Sequence, residues 1–418
     1  MSTHKPKMPI IAGLDIGSSS VKMVLGLVNP EGKIEIAGVG NASNSGVKQG
    51  VVVNIDSTTD AIRRAKEEAE LMAGCSATDV WVGVSGSHIK SFDSKGMVAI
   101  KNAEVTQSDI ERVIEAAKAV AVPGDRRVLH VLSKEYKVDG TEGISDPIGM
   151  SGVRLEASVH IITASQAALN NTIKCIEKAG LKVAGLILDP LASSMAVLSE
   201  DERNLGVCLV DMGGGASNLL YFINGSVAHT AMIPIGGAHF THDVAVGLRA
   251  PQLAAEELKK KFGCALMNMV SETETVEVEG VGGRKSRTIP RKDLSAVLEA
   301  RSEELMNLIA NNIRLSGFMP MLGSGVVLTG GASQLEGLVE MGEFMMDIPV
   351  RRGAAGKVSG ITEVIKGAEF ATAVGLCLYG YQEKKEAFAK HHSHSELHLG
   401  ESIDDLTKKV KEFFGSMF

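Results

Sequence analysis

The sequence predicts an α/β fold in which two related half-domains face each other across a cleft, with a separate α+β module inserted in the first. Three observations predict it. "IIAGLDIGSSSVKMVLGLV" and "GVCLVDMGGGASNLLYFI" share one pattern (apolar strand, Asp, apolar residue, Gly, small polar turn, apolar strand), and their aspartates, Asp15 and Asp211, stand 196 residues apart. That spacing is too long for a solenoid and suits two half-domains. A third glycine turn, Gly330-Gly331, follows the apolar run "GVVLT". Between Ser87 and His160 the texture changes to short strands around one helix. A chain of 418 residues, 44% of them hydrophobic and 22% charged, fits two or three domains of a globular protein.

Residues 8–40 read as a meander, with the turn Asn29-Pro30-Glu31-Gly32 between alternating apolar runs. A helix is expected over Thr58–Ala73, capped by Thr58, with Ala61, Ala65, Ala69 and Met72 on one face. "DVWVGVSG" (79–86) reads as a buried strand and places Trp81 in the core. In the inserted module the helix Thr106–Ala121 opens with "TQSD", a near capping box with Asp in the usual Glu or Gln position. "HIITAS" (strand), Gln166–Ala179 (helix) and "KVAGLILDP" (strand) lead to the second glycine hairpin. Next come a charged helix, Gln252–Phe262, and a polar β-like insert in which "GVGGRK" reads as a hairpin turn. A long helix follows over Arg291–Leu315. "SGVVLTGGASQLEGLVEMGEFM" is strand, turn and helix. Residues 381–402 read as a polar linker, and Ile403–Phe418 as a short amphipathic helix.

Composition excludes several functions. A net charge of −7 with no broad basic stripe argues against nucleic acid as a ligand. The N-terminal apolar run is too short for a signal peptide, and no segment reaches the roughly 18 apolar residues of a membrane span. Five scattered cysteines without C-x-x-C spacing predict reduced core thiols and a cytosolic chain.

The glycine hairpins carry the chemistry. "GLDIGSSSVK" is not a Walker loop, because its lysine stands five residues after Gly17. Two strand–Asp–x–Gly–turn–strand hairpins can instead grip a polyphosphate from opposite sides. Gly17, Gly213, Gly214 and Gly215 allow close backbone approach, and successive N–H groups form an anion nest. Ser18, Ser19 and Ser217 add hydroxyl donors and Lys22 adds a positive charge. Asp15 and Asp211 would repel phosphate directly, so Mg²⁺ with retained waters is their expected partner. Gly330 and Gly331 suit a flat base lying over backbone. Glu256 and Lys259, three apart on one helical face, suit ribose hydroxyls and the base edge.

"GLDIGSSSVK", "LVDMGGGASNLLYF" and "VVLTGGASQLEGL" resemble the phosphate-1, phosphate-2 and adenosine motifs of the actin/Hsp70/sugar-kinase superfamily. More narrowly, "ASQAALNNTIKCIEKAGL", "IPIGGAHFTHDVAVGL", "AAEELKKKFGCAL" and "RTIPRKDLSAVLEARSEEL" resemble the FtsA family of bacterial cell-division actin homologues over residues 8–380 and the last sixteen. The resemblance implies an actin-like ATPase fold with subdomains 1A (8–86 and 161–204), 1C (87–160), 2A (205–248 and 320–380, returning to 1A) and 2B (249–319). It implies ATP and Mg²⁺ as cofactors, filament formation by self-association, and binding of other division proteins through 1C. It also implies an adaptor that anchors FtsZ filaments at the division site, on the cytoplasmic face of the cell membrane. Arg301 and Glu304, near neighbours suited to an intrahelical pair, match the family positions that receive the FtsZ C-terminal tail.

Two positions depart from the superfamily. Gly215-Ala216-Ser217 replaces the usual Gly-Gly-Thr hydroxyl position, and Asp189 stands where relatives carry Gln or Glu to orient the attacking water. The expectation is nucleotide binding with at most slow hydrolysis, with Asp189 the candidate catalytic residue. In the tail, Ile403, Leu406, Val410, Phe413, Phe414 and Met417 follow helical spacing beside Lys408, Lys409 and Lys411, the pattern of an interfacial membrane helix. The alternative is a helix docked on its own core. His391, His392, His394 and His398 read as solvated linker residues rather than metal ligands. One rival reading is the pilus-assembly scaffold PilM, which shares the first motif but lacks a membrane-targeting tail. The other is a small-molecule kinase of the same fold, for which Asp146 is the only loop candidate as catalytic base.

Overall fold

The structure is a computed structural model and describes residues 10–29, 31–356 and 358–396. β1 (Ile10–Ile16), β2 (Ser20–Val28) and β3 (Ile34–Ser43) form the expected antiparallel meander. A tight hairpin, β4 (Val47–Lys48) and β5 (Val51–Val52), leads to α1 (Ile55–Ala73) and β6 (Asp79–Val84). The insert follows: β7 (Lys90–Ala99), α2 (Gln107–Lys118), β8 (Arg126–Val138), β9 (Thr141–Ile144) and β10 (Arg154–Ser165). The chain returns through α3 (Gln166–Lys178), β11 (Lys182–Leu188), α4 (Asp189–Val197) and α5 (Glu200–Leu205).

The second half contains β12 (Val207–Met212), β13 (Ser217–Ile223), β14 (Ser226–Ile233), α6 (Gly237–Gly247) and α7 (Gln252–Phe262). The hairpin β15 (Thr275–Val278)–β16 (Arg287–Pro290) turns at Gly282 and Gly283, both at positive φ. Then come α8 (Arg291–Ser316), β17 (Val326–Thr329), α9 (Leu338–Met346) and β18 (Val350–Arg352). Short β19 (Ser359–Gly360) and α10 (Thr362–Ile365) lead to α11 (Ala371–Glu396).

The duplication extends beyond the hairpins to both sheets. One sheet runs β11-β6-β1-β2-β3-β19 and the other β18-β17-β12-β13-β14. In each, an antiparallel three-strand meander is joined to a parallel strand (β6 on β1, β17 on β12) and then a second parallel strand. Each half has its own apolar core, and a third core, containing α11 residues Val374 and Cys377, joins the two. α1 lies directly on β3: a β-carbon on Gly40 would overlap the Ala65 carbonyl, so the small face of Ala61, Ala65 and Ala69 meets glycines. Ile62, rather than Met72, completes that buried face, contributing about 2 kcal/mol by burial.

Several boundaries differ from expectation. Asn54, not Thr58, caps α1, its side chain accepting from Ser57 N–H at 3.0 Å, so the helix starts a turn earlier. In the insert, Thr106 does cap α2, and the Asp109 carboxylate accepts from the Thr106 backbone N–H at 3.0 Å. Residues 381–396, expected as linker, continue α11, because their Glu, Lys and Ala are good helix formers extending a helix already nucleated by its buried first turns. Trp81 is half-buried rather than fully in the core, its ring 5.7 Å from that of Tyr379. Residues 403–418 lie outside the described residues.

Candidate functional site

The two glycine hairpins have the same turn hydrogen bond. Gly17 N–H donates to the Ser20 carbonyl at 3.0 Å, and Gly213 N–H donates to the Ala216 carbonyl at 2.9 Å, the same turn 196 residues later. Asp15 is the penultimate residue of β1, opposite Lys22, and Asp211 the penultimate residue of β12, opposite Asn218. The tips meet: a β-carbon on Gly215 would fall 2.7 Å from Ser18 Oγ and 3.0 Å from the Gln49 amide nitrogen. Only glycine permits that approach. They border one cleft of about 750 Å³, within the size range of ligand pockets. Asp15, Gly17, Ser18, Ser19, Lys22, Asp189, Asp211, Gly213, Gly214, Gly215, Glu256, Lys259, Gly330 and Gly331 all line it.

Three carboxylates and one lysine set the charge at the floor of the cleft. Lys22 Nζ stands 3.6 Å from Asp15 Oδ2. Burial raises the Asp15 pKa, and Lys22 partly offsets the shift. Asp211 accepts from Ser193 Oγ at 2.8 Å and Thr372 Oγ1 at 3.1 Å, yet burial still raises its pKa. Asp189, held at the N-terminus of α4 against Gly83, has a buried Oδ1 with no hydrogen-bond partner. Its pKa is pushed well above the usual carboxylate range, first by burial and then by Asp15. This set carries more negative than positive charge and one orphaned oxygen, which fits a divalent cation. Among the described residues, no three His, Cys, Asp or Glu side chains are grouped to hold a metal by themselves. The fit is therefore to a cation that takes its other ligands from phosphate and water.

On the opposite side the β17–α9 turn supplies Gly330 at φ 83° and ψ 165°. A β-carbon there would fall 2.6 Å from both Asp211 Oδ1 and the Met212 carbonyl. The Gly330 turn is thus packed against the second glycine hairpin. Lys259 Nζ donates to the Gly237 carbonyl (3.0 Å), Thr241 Oγ1 (2.8 Å) and Glu256 Oε2 (2.7 Å), tying α7 to the start of α6. Burial pushes the Glu256 pKa up, but Lys259, Thr241 and Lys260 outweigh it and the net shift is downward.

Other predicted residues lie elsewhere. Ser217 is fully buried and donates to the Ile235 carbonyl at 2.8 Å, so it is not a cleft residue. It occupies the place that buried Val21 takes in the first hairpin, and strand alternation turns both side chains inward. Asp146 accepts from Ile148 N–H at 3.1 Å in a turn of the insert, outside the cleft, which removes the kinase candidate. Arg301 and Glu304 do form the intrahelical pair, on α8, and Arg301 also forks onto Asp243 of α6, with Nη2 3.1 Å from Oδ1. Asp243, Ser193 and Thr372 escape a reading by motif, because each reaches its partner from a distant element. Cys175, Cys208, Cys264 and Cys377 are buried free thiols, as expected, whereas Cys75, just beyond the end of α1, is only partly buried. His391, His392 and His394 fall on α11, and His398 lies outside the described residues. Among the described residues no helix is long and apolar enough to cross a membrane.

Comparison with known proteins agrees with this geometry. Residues 86–163 match the family model "SHS2 domain inserted in FTSA", and residues 208–375 match "Cell division protein FtsA". Curated cell division proteins FtsA are 44% identical in Pseudomonas aeruginosa (98% of each chain), 45% in Neisseria meningitidis (88% of this chain, 89% of that one) and 40% in Escherichia coli K12 (98% of each). Among solved structures, a PilM-PilN type IV pilus biogenesis complex is 18% identical over 90% of this chain and 99% of that one, with TM-score 0.62. MreB5 of Spiroplasma citri bound to ADP is 12% identical over 92% and 98%, with TM-score 0.50. At such identities these structures share the actin-like fold alone, and the pilus reading carries no further weight. With its duplicated hairpins around one cleft, its SHS2 insert and its full-length relatives, this chain is a member of the FtsA family of cell division proteins.

Proposed function

We propose that this division protein binds ATP with Mg²⁺ in the cleft and assembles into filaments that anchor FtsZ filaments to the cytoplasmic face of the membrane. The observation that supports the nucleotide reading is the pair of hairpins with the same turn hydrogen bond, meeting tip to tip over a carboxylate-rich floor. Gly17, Ser18, Ser19 and Lys22 would hold the phosphates from one side and Gly213–Gly215 from the other. Asp15 and Asp211 would hold Mg²⁺ through water, and Gly330, Gly331, Glu256 and Lys259 would border the adenosine. The cation would neutralise phosphate charge in a cleft whose own residues are net negative. Relatives of the same fold support the reading, since MreB5 was solved with ADP and with AMPPNP. Asp189 would be the residue to act on a water at the γ-phosphate side, and its shortness relative to Glu argues for slow turnover.

The tether rests on the tail sequence. In the sequence Ile403, Leu406, Val410, Phe413, Phe414 and Met417 follow helical spacing, but three lysines are balanced by Asp404, Asp405 and Glu412. One copy should bind weakly, and a filament would raise avidity by linking many copies. Arg301 and Glu304 on the exposed side of α8 are proposed to receive the FtsZ tail, and the insert to contact other division proteins. Co-sedimentation with anionic liposomes tests the tether, using the full chain and a 1–402 truncation, each with and without Mg·ATP and FtsZ. Only the full chain should pellet and carry FtsZ with it. Equal pelleting of both, or of neither, would refute the tether.

A further inference from the structure

The insert sheet has two faces, set by strand alternation. Leu155, Ala157, Val159 and Ile161 of β10, with Phe92 of β7 and Val131 of β8, pack toward α2. Ser91, Asp93, His130, Leu132 and His160 therefore take the opposite face. That face touches both half-domains. Toward the first half-domain, Leu188 N–H donates to His130 Nε2 at 3.0 Å, immediately before Asp189, and the Leu132 side chain packs on the core shared by the two halves. Toward the second, Thr230 Oγ1 of β14 stands 2.8 Å from Ser91 Oγ and 3.2 Å from His160 Nε2. His160 is itself fixed by Asp93, whose Oδ1 is 2.7 Å from Nδ1, and Lys134 holds the other oxygen of Asp93 at 2.6 Å.

We propose that the insert is a strut between the two half-domains, and that the Ser91–Thr230–His160 contact sets how readily they part and hence how fast nucleotide is released. This rests on the nucleotide reading above. The two joints are unequal. The first is a backbone hydrogen bond into a buried imidazole, which is costly to leave unmade. The second joins Thr230, on the edge strand of the second sheet, to Ser91 and His160 of the insert through side chains alone, and these groups can exchange one another for water. Parting of the halves breaks the second joint first. A protein that docks on the insert and shifts its sheet would bias the same equilibrium, and by linkage nucleotide would bias that docking.

The test uses the full chain with mant-ATP and stopped-flow release. Thr230→Val, nearly equal in volume, should speed release by at least about fivefold, the lower end of typical coupling between sites. A Ser91→Cys/Thr230→Cys pair should release it at least about fivefold more slowly when oxidised than when reduced. Unchanged rates in both variants would overturn the strut. Should the wild-type chain bind no mant-ATP, the nucleotide reading fails, and hydrogen exchange then decides the strut separately. Thr230→Val must speed exchange along β14, beside the second joint, more than at Leu188, and unchanged protection along β14 would overturn it.

Discussion

Replacing Gly330 by Ala places two separable stresses on the site. The backbone at φ 83° and ψ 165° lies in a region that is essentially glycine-only, and holding an L-residue there costs about 1–3 kcal/mol. The new methyl would also sit 2.6 Å from Asp211 Oδ1 and from the Met212 carbonyl. Relief requires moving the end of β12, an overpacking cost of about 1–3 kcal/mol. Together the penalty is about 2–6 kcal/mol, and the displaced group is the Asp211 carboxylate itself. Gly331→Ala is the built-in control: the adjacent glycine has no positive φ, and the nearest atom to its β-carbon is Glu369 Cβ at 3.6 Å, an ordinary contact. Urea unfolding should give Gly330→Ala a clearly lower midpoint than wild type, with Gly331→Ala within about 1 kcal/mol of it. Coincident midpoints for the two variants would refute the claim that the Gly330 turn is locked onto the end of β12.

Three further outcomes are expected. Burial holds the His130 pKa at about 4 against an ordinary 6.5, so between those values the unfolded chain binds the proton and the folded chain does not. The stability from neutral His130 is complete above pH 6.5 and lost as pH falls toward 4, about 3 kcal/mol in all; His130→Gln should flatten the change in urea midpoint between pH 7 and pH 5. Lys22→Met leaves Asp15 without its cation, and fluorescence titration should show ATP affinity lower by at least about tenfold. Binding of an FtsZ tail peptide, read by polarisation, should fall in Arg301→Ala but persist in Asp243→Asn, which breaks only the α6 fork; equal loss would make Arg301 a purely structural residue.

The site was legible where chemistry is local. A turn of glycine and serine after Asp15 and again after Asp211 is dictated by backbone approach, so its spacing survives in the chain as a visible repeat. The position of Ser217 was also open to that logic, since a shift of 196 places it on buried Val21, but its hydroxyl suggested a donor and the alternation of β13 decided otherwise. Partners across long separations were not legible. Thr372 reaches Asp211 from α11, Asp243 reaches Arg301 from α6, and His130 reaches Leu188 from the insert, pairings that only the packed sheets create. The extent of α11 was missed for a different reason: the composition of 381–396 is equally that of a solvated linker and of an exposed helix, and the buried turns before it decide.

The most direct test of the account is calorimetric titration of ATP into the full chain, with and without Mg²⁺. The Asp15 and Asp211 carboxylates, faced by one lysine, should make metal-free ATP a poor ligand. The predicted result is one site per chain, at least about tenfold tighter with Mg²⁺, a gain that shrinks in Asp211→Asn. Absence of binding, or equal affinity with and without the metal, would contradict the reading of the paired hairpins as a nucleotide clamp.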